Sequence, residues 1–549
     1  MNDGAKRYRL GGRVQGVGFR PFVYRLAQHY GLAGWVRNDG GQVEIHAQGP
    51  ADRLQAFGTV LLQHAPRSAS ARLLDTRAVA PEAHTDFRIV ASTVDPSVQV
   101  HIPADNSTCA DCLAEMEDPA ARRYRYPFIN CTQCGPRYTL IRQMPYDRAN
   151  TTLSEFALCG ACADEYAAPT DRRFHAQPLA CAACGPALNW HGAGTRVTGN
   201  EAALAAALRM LHAGLVVAMR GVGGYHLLCD ARSEGAVMRL RTRKGRPLKP
   251  LAVMVPLQGA DGLDHARRIA ALAPEEAALL ADPMRPIVIV TRTATAPLAA
   301  GIAPGLHDVG LMLPYSPLHH LVMQEFAGPL VATSGNVSGE PVQTDPAEAE
   351  HRLAGIADGF LHHDRPIARC ADDPVYRVSA GVARPLRLGR GNAPLELDLP
   401  TPVSLPTLAV GAYLKNTVAL AWGRRAVVSP HIGDLDSPRG REMFVAMTES
   451  LQQLYGVRAE RVVHDAHPLF PNTHWARAST LPRLAVWHHD AHASALAGEH
   501  PDAAPMLCFT WDGMGVGPDR VLWGGRGAVR RSGPLAACRE LSPLPAAGR

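Results

Sequence analysis

The chain has 549 residues, of which 46% are hydrophobic and 19% charged, and a formal net charge of +6. That length exceeds one core and implies several domains, while so mild a charge permits contact with phosphates without calling for nucleic acid. The N-terminus is polar with no leader pattern, and the most apolar stretch, residues 202–219, is broken by Arg209, His212 and Gly214, which argues against a membrane span. Eight of the twelve cysteines fall in one array, a usage that fits a reducing cytosol, so a cytoplasmic protein is expected.

Residues 1–92 open with a strand over 6–14, a glycine-rich loop Gly16-Val17-Gly18-Phe19-Arg20, and a helix from Pro21, a residue suited to the first helical position. A loop of this kind between strand and helix presents backbone N–H groups to a phosphate, and Arg20 adds a bidentate guanidinium. The run Trp35 to Gly41 followed by alternating Val43, Ile45 and Ala47 reads as a second hairpin. A helix over 51–64 and strands over 73–79 and 87–90 complete a βαββαβ order, the ferredoxin-like sandwich. The run Gly12-Arg13-Val14-Gln15-Gly16-Val17-Gly18-Phe19-Arg20, with Asn38 eighteen residues beyond Arg20, resembles the acylphosphatase family. The resemblance implies that Gly16, Val17, Gly18 and Phe19 form a phosphate loop, that Arg20 binds the phosphate and that Asn38 orients the attacking water.

Residues 101–194 carry Cys109, Cys112, Cys131, Cys134, Cys159, Cys162, Cys181 and Cys184. The pattern is C-x2-C, eighteen residues, C-x2-C, repeated after twenty-four residues. Paired thiolates at fixed spacing suit tetrahedral soft-metal sites, so two structural Zn2+ ions are expected rather than disulfides or redox pairs. Sequential sets (109, 112, 131, 134 and 159, 162, 181, 184) and an interleaved pairing of the hooks fit the spacing equally. Arg122-Arg123-Tyr124 and Arg172-Arg173-Phe174 precede the second hook of each half. Packing of the small zinc-supported core is the preferred reading of these clusters, ahead of nucleic-acid contact.

Residues 198–390 begin with a helix over 201–213, whose apolar face is Leu204, Ala207, Leu208 and Leu211, and a strand over 215–219. The basic run Arg241-Thr242-Arg243-Lys244-Gly245-Arg246-Pro247-Leu248-Lys249-Pro250 leads into an apolar strand over 251–255, which fixes its cations and suits a triphosphate. Residues 330–336 end a strand on Thr333-Ser334-Gly335-Asn336, small polar groups able to hold phosphate or ribose. With Leu313-Pro314-Tyr315-Ser316-Pro317-Leu318-His319, these motifs resemble the YrdC-type domain. That resemblance implies ATP, with Mg2+, as cosubstrate and activation of a carbamate-like carboxylate as an acyl-adenylate. It places Lys244, Arg246 and Lys249 on the phosphates and Ser334 and Asn336 in the nucleotide site, with Arg369, Asp372 and Asp373 lining the same cleft.

The proline-rich stretch 394–406 reads as a linker. In residues 405–549, the segment 408–420 reads as two strands around a polar turn, and His464-Asp465 and His488-His489-Asp490-Ala491-His492 follow. His488 and His492 are four apart, so on a helix they share a face and suit a further divalent metal. Phe509-Thr510-Trp511-Asp512-Gly513-Met514-Gly515 reads as a strand and a phosphate-facing turn. The pattern resembles the Kae-type half of the actin-like ATPase superfamily, in which paired histidines hold a metal at a nucleotide site. That family continues for roughly another half-domain, and Arg526, after Trp523-Gly524-Gly525, stands where an acidic residue is usual. A partial domain lacking the ligands of the other half is therefore expected.

The four segments in this order resemble the hydrogenase maturation carbamoyltransferase HypF family, a multidomain assembly of α/β and α+β parts. The resemblance implies hydrolysis of carbamoyl phosphate, ATP-dependent formation of carbamoyl-adenylate, and transfer of the carbamoyl group to the C-terminal cysteine of a partner, HypE, for the cyanide ligands of a nickel–iron hydrogenase. It implies neither a membrane nor a nucleic-acid partner. A tRNA threonylcarbamoyl-adenylate synthase would share the YrdC-like segment but needs no acyl-phosphate loop. A zinc-finger nucleic-acid-binding regulator is disfavoured by the mild charge.

Overall fold

The computed structural model describes residues 3–39, 41–66, 69–93, 100–503, 505–512, 515–518, 521–523, 526–530 and 539–540. They fall into two compact units, Met1–Ser338 with Val342–Asn392, and Gly339–Pro341 with Ala393–Arg549. Gly40, Gly513, Met514, Gly524 and Gly525, which belong to motifs named above, lie outside the described residues.

The first unit begins with β1 (Asp3–Arg13), α1 (Phe19–His29), β2 (Ala33–Asp39), β3 (Gln42–Pro50), α2 (Ala51–Gln63), β4 (Ser70–Val79) and β5 (Phe87–Ile89). The sheet order β4-β1-β3-β2, extended by β5 parallel to β2, is the ferredoxin-like sandwich anticipated from the strand–helix order. Its core is its own: Val36, Val43 and Ile45 pack against Phe19, Val23 and Ala27 of α1 and Leu54 and Phe57 of α2. The helix starts at Phe19 and not at Pro21, because Gly18 sits at φ 75° and serves as the N-cap. Pro21 then occupies the third position, where the missing N–H still costs nothing, since the first four N–H groups of a helix have no acceptor within it.

The cysteine module holds two matching helices, α3 (Ala110–Glu117) and α4 (Gly160–Ala167), N-capped by Cys109 and Cys159. Its two halves interlock through their arginine pairs. Arg122 and Arg123 each reach the Cys162 sulfur at 3.4 Å and both ion-pair with Glu165. Reciprocally, Arg172 reaches the Cys112 sulfur at 3.1 Å, and Arg172 and Arg173 both bind Glu115. Arg123 Nε also donates to the Ala180 carbonyl and Arg173 Nε to the Asn130 carbonyl, each just ahead of the other half's second hook. The basic clusters are therefore internal fasteners. Their charge is drawn inward because a zinc ion with four thiolates carries a net −2 that must be offset where it is buried.

The remainder of the first unit is β6 (Leu188–Gly192), β7 (Thr195–Thr198), α5 (Asn200–His212), β8 (Val217–Arg220), β9 (Tyr225–Asp230), α6 (Glu234–Lys244), β10 (Val253–Met254), α7 (Asp264–Ile269), α8 (Pro274–Ala281), β11 (Ile287–Thr291), β12 (Asp308–Met312), α9 (Pro317–Phe326), β13 (Leu330–Ser334), α10 (Pro346–Leu353), β14 (Gly359–His363), β15 (Val375–Ser379) and β16 (Val382–Arg387). They make one mixed sheet in the order β16-β15-β11-β12-β10-β13-β9-β8-β14-β6-β7. Both faces are covered, which is why its central strands are continuously apolar. Val217, Met219 and Leu330 face a core shared with α5, α9 and Tyr126, Phe128 and Cys134 of the cysteine module. Ala218, Leu227 and Val331 face α6, α7, α8 and α10. The strand read over 251–255 shortens to β10, and the basic run divides: residues up to Lys244 form the last turn of α6, which Gly245 closes at φ 61°.

The second unit contains β17 (Leu395–Ala409), β18 (Ala419–Val428), α11 (Pro438–Tyr455), β19 (Arg461–Asp465), α12 (Pro471–Ala478), β20 (Arg483–Val486), α13 (His488–Glu499) and β21 (Met506–Thr510), with the sheet order β18-β17-β19-β20. The proline-rich stretch is not a linker, for it forms most of β17. Pairing with β18 runs from Leu395 to Asp398, touches again at Val403 and resumes at Thr407. Pro400, Pro402 and Pro406 fall in the irregular stretches between, where a strand tolerates residues that cannot donate to the ladder. No helix among the described residues is long and apolar enough to cross a membrane.

Candidate active sites and zinc centres

The eight cysteines close into two sets of four, Cys109, Cys112, Cys131, Cys134 and Cys159, Cys162, Cys181, Cys184, which decides for sequential pairing. Sulfur–sulfur distances are 3.6–3.7 Å along Cys109–Cys131–Cys134–Cys112 and again along Cys159–Cys181–Cys184–Cys162. Four sulfurs 2.3 Å from a central ion at tetrahedral angles stand about 3.8 Å apart, so both sets fit zinc and neither fits a disulfide.

The glycine loop enters α1 beside the first zinc hook. A Cβ on Gly16 would lie 2.6 Å from Pro103, and one on Gly18 would lie 3.1 Å from Thr132; with φ of 68° and 75°, both positions require glycine. Arg137 ties the loop to the hook: its Nε donates to the Gly16 carbonyl at 2.6 Å, and its other nitrogens donate to the carbonyls of Cys131, Thr132, Cys134 and Pro136. Gly16, Gly18, Arg20, Thr132, Arg137 and His175 line a small cleft. Arg20 is buried; its guanidinium donates to Asp147 at 3.0 Å and to the Ser92 hydroxyl at 3.3 Å. Asn38 is 1% exposed and neither amide atom has a partner among the described residues, while its backbone carbonyl accepts from Thr93, next to the serine that Arg20 touches. A buried amide left unpaired is costly, and a water or substrate oxygen is the partner that relieves it. Burial, with the Arg20 charge, pushes the His175 pKa down to about 4, so it is neutral at pH 7. Asp147, Arg137 and Thr132 carried no signal for this cleft in the sequence: they lie more than a hundred residues from the loop, and Thr132 stood out only as a spacer within a cysteine hook.

The nucleotide candidates split into those the fold gathers and one it does not. Lys244 Nζ donates to the Asn336 carbonyl at 2.9 Å, to Asn336 Oδ1 at 2.8 Å and to the Ser334 carbonyl, and the Ser334 hydroxyl bonds Asn336 Oδ1 at 2.8 Å. Arg246 lies alongside, 3.5 Å from the Thr333 hydroxyl. Burial, with Arg246 and Lys249 nearby, pushes Lys244 down to about 7, and burial also pushes Arg246 down to about 10. Four of the five candidates thus meet at the end of β13, and Lys249 contributes its charge. Arg369 does not join them: its guanidinium donates to the carbonyls of Ile141 and Arg142 and lies over Tyr138. Asp372 pairs with Arg387 at 2.7 Å, whereas Asp373 is buried against His226 and Arg390. A second small cleft lies between the cysteine module (Phe128, Gly135, Pro136) and Arg220, Ser316 and Arg365.

In the second unit, α13 places His488 and His492 on one face, with their Nε2 atoms 3.2 Å apart, and Asp512 adds a carboxylate 3.0 Å from His488. The three ligand atoms lie within 4.8 Å of one another, a donor set that fits a divalent ion. Asp465 holds His488 Nδ1 at 2.7 Å, leaving Nε2 for a ligand, and raises the His488 pKa through that bond. Asp512 was legible only as part of a turn.

Four family models match the chain: Acylphosphatase over residues 6–89, HypF finger over 108–141 and 158–191, Telomere recombination (the Sua5, YciO and YrdC model) over 209–389, and HypF Kae1-like domain over 403–499. The chain is 45% identical to carbamoyltransferase HypF2 of Cupriavidus necator over 99% of its own length and 70% of that protein's. The chain belongs to the carbamoyltransferase HypF family. A second HypF, from Synechocystis sp., is 45% identical over 97% of the chain and 69% of the relative. The crystal structure of a full-length HypF in the phosphate- and nucleotide-bound form superposes with a TM-score of 0.93 at 39% identity, covering 98% of this chain and 70% of that one. The T. kodakarensis HypF gives 0.88 at 34% identity, covering 96% and 69%. The order acylphosphatase, duplicated zinc finger, YrdC-like and Kae-like is thus a HypF order, and the chain is an enzyme of the carbamoyltransferase class.

Proposed function

We propose that this chain hydrolyses carbamoyl phosphate at the glycine loop, activates the resulting carbamate with ATP beside Lys244, and serves transfer of the carbamoyl group to the C-terminal cysteine of HypE. Water held by Asn38 attacks phosphorus while Arg20 and the loop N–H groups take up the phosphoryl charge; the P–O bond breaks and carbamate leaves with phosphate as the second product. A carbamate oxygen then attacks the α-phosphorus of ATP and expels pyrophosphate, with Lys244, Arg246 and Lys249 on the phosphates and Ser334 and Asn336 in the nucleotide site. The acceptor thiolate attacks the carbamoyl carbon of that adenylate and AMP departs. A divalent ion on His488, His492 and Asp512 would supply Lewis-acid polarisation in the Kae-like domain.

The observation that carries this reading is that one element walls both clefts. Thr132 and Arg137 face the loop cleft, and Gly135 and Pro136, between them, face the second cleft, whose Arg220 and Arg365 suit a small anion. Carbamate decomposes in water, so a short enclosed route between two sites is what its chemistry requires. The phosphate and nucleotide bound in the related HypF structure fit the same pair of ligands. The test is exchange of labelled pyrophosphate into ATP: it should require carbamoyl phosphate, and exchange driven by threonine and bicarbonate instead would overturn the reading.

Two further outcomes follow from the local charges. Asp147 competes with substrate phosphate for the Arg20 guanidinium. Asp147→Asn should tighten inorganic phosphate several-fold as an inhibitor of acyl-phosphate hydrolysis, and weaker inhibition would show that the carboxylate positions Arg20 instead. Lys244, with a pKa of about 7 in the free site, must be cationic against a triphosphate. Between that value and an ordinary lysine pKa the free site has lost a proton that the complex holds. ATP binding should therefore take up close to one proton at pH 8 and weaken by up to about tenfold per pH unit above 7. Calorimetry in buffers of different ionisation enthalpy reads the uptake, and a value near zero would refute it.

A further inference from the structure

A fourth group of metal-ligand side chains lies on the large mixed sheet of the first unit, apart from the cysteines and from the candidate nucleotide residues. Register brings it together. In the β6–β14 pairing His191 stands opposite Phe360, so His191 and His362, two residues beyond Phe360, point to the same face of the sheet. Glu350 of α10 lies over that face, and its Oε1 atom is 2.6 Å from His191 Nδ1 and 2.9 Å from His362 Nε2. The ligand atoms of all three residues lie within 4.8 Å of one another.

Around them is the support that metal-binding histidines need. His362 is buried, and its remaining nitrogen, Nδ1, is 2.6 Å from the Tyr225 hydroxyl. Phe360 stacks on the His362 ring at 5.7 Å and 11° between planes, which fixes its orientation. Tyr225 can serve both states. Without an ion it donates to Nδ1 while Nε2–H bonds Glu350; with an ion on Nε2 the imidazole takes the other tautomer, and Nδ1–H donates to the tyrosine oxygen. Glu350 and His191 are partly exposed, with side-chain accessibilities of 36% and 21%, so water can complete the coordination.

We infer that His191, Glu350 and His362 form a binding site for a late first-row divalent ion of the cobalt-to-zinc group, with two imidazole nitrogens, one carboxylate oxygen and solvent as ligands. Imidazole selects against magnesium and calcium, and the absence of thiolate separates the site chemically from the cysteine centres. An ion there clamps α10 onto β6 and β14. It thereby restrains the helix that follows the Ser334–Asn336 segment in the chain.

The probe is cobalt(II), offered to the full chain with its cysteine sites already loaded with zinc. The retained metal is counted after dialysis for the native chain, His191→Gln, Glu350→Gln and His488→Gln. The partly exposed His191 is the primary target because replacing the buried His362 risks the fold, and circular dichroism checks that the variants remain folded. The native chain should retain one more cobalt equivalent than either His191→Gln or Glu350→Gln. The spectrum of that equivalent should lack thiolate charge transfer, and the equivalent should persist in His488→Gln. Equal cobalt in native and His191→Gln protein, or loss of all cobalt in His488→Gln, overturns the inference.

Discussion

Arg20→Ala should lower carbamoyl phosphate hydrolysis roughly 10²- to 10³-fold, the loss caused by removing one pre-organised donor from a developing charge. Here the effect has a second source. Arg20 is buried and paired with Asp147, so its removal leaves a carboxylate unpaired beside the site that must accept a phosphate dianion. Pyrophosphate exchange driven by carbamoyl phosphate should fall in step. Exchange driven by added carbamate should not, because the Lys244 site is untouched. Steady-state phosphate release and the two exchange assays separate these outcomes: exchange from carbamoyl phosphate that survives Arg20→Ala would detach the glycine loop from the pathway.

Cys134→Ser carries the second large effect. Structural zinc bound by a small module contributes about 10–16 kcal/mol of folding free energy at neutral pH, and the two zinc sets are placed differently. Cys112, Cys131 and Cys134 belong to the core that also contains Leu228 and Leu330 of the large sheet, whereas Cys162 and Cys181 sit in a small cluster with Leu179. Losing the first zinc should therefore loosen the wall between the two clefts and abolish exchange driven by carbamoyl phosphate. Hydrolysis of acyl phosphate should decline far less, since α1, α2 and their sheet hold a separate core. Zinc content, phosphate release and exchange measured on one preparation decide it. If hydrolysis disappears with exchange, zinc maintains the fold and does nothing to couple the sites.

What could be read without coordinates was what is local. Gly16, Gly18 and Arg20 announce themselves because φ > 0, close approach and a guanidinium are needed within a few residues, and the cysteine hooks because a metal fixes their spacing. The ferredoxin-like order and the Lys244–Ser334–Asn336 cluster were legible for the same reason, each lying on a recognisable strand end or helix turn. Asp147 and Arg137 were not, for they meet the glycine loop only through tertiary packing. The proline-rich β17 misled because its composition describes a chain that cannot donate hydrogen bonds, while its pairing uses the residues between the prolines. Arg369 misled in the opposite way: a conspicuous charge beside two aspartates proved to be bound to the carbonyls of Ile141 and Arg142.

The reciprocal arginines of the cysteine module bear on how the protein is made. Residues 109–134 supply a full set of zinc ligands long before residues 172–173 leave the ribosome, yet the cation on the Cys112 sulfur comes from that later segment, which also adds Arg172 and Arg173 to the Arg123 already on Glu115. The first zinc is thus held without its counter-charge during synthesis, and its final grip waits for the second half. Metal uptake by the finished chain should accordingly be cooperative, and a nascent chain arrested before Arg172 should hold zinc more weakly than the completed one; zinc titration of the full chain against a chain ending before Arg172 reads the difference.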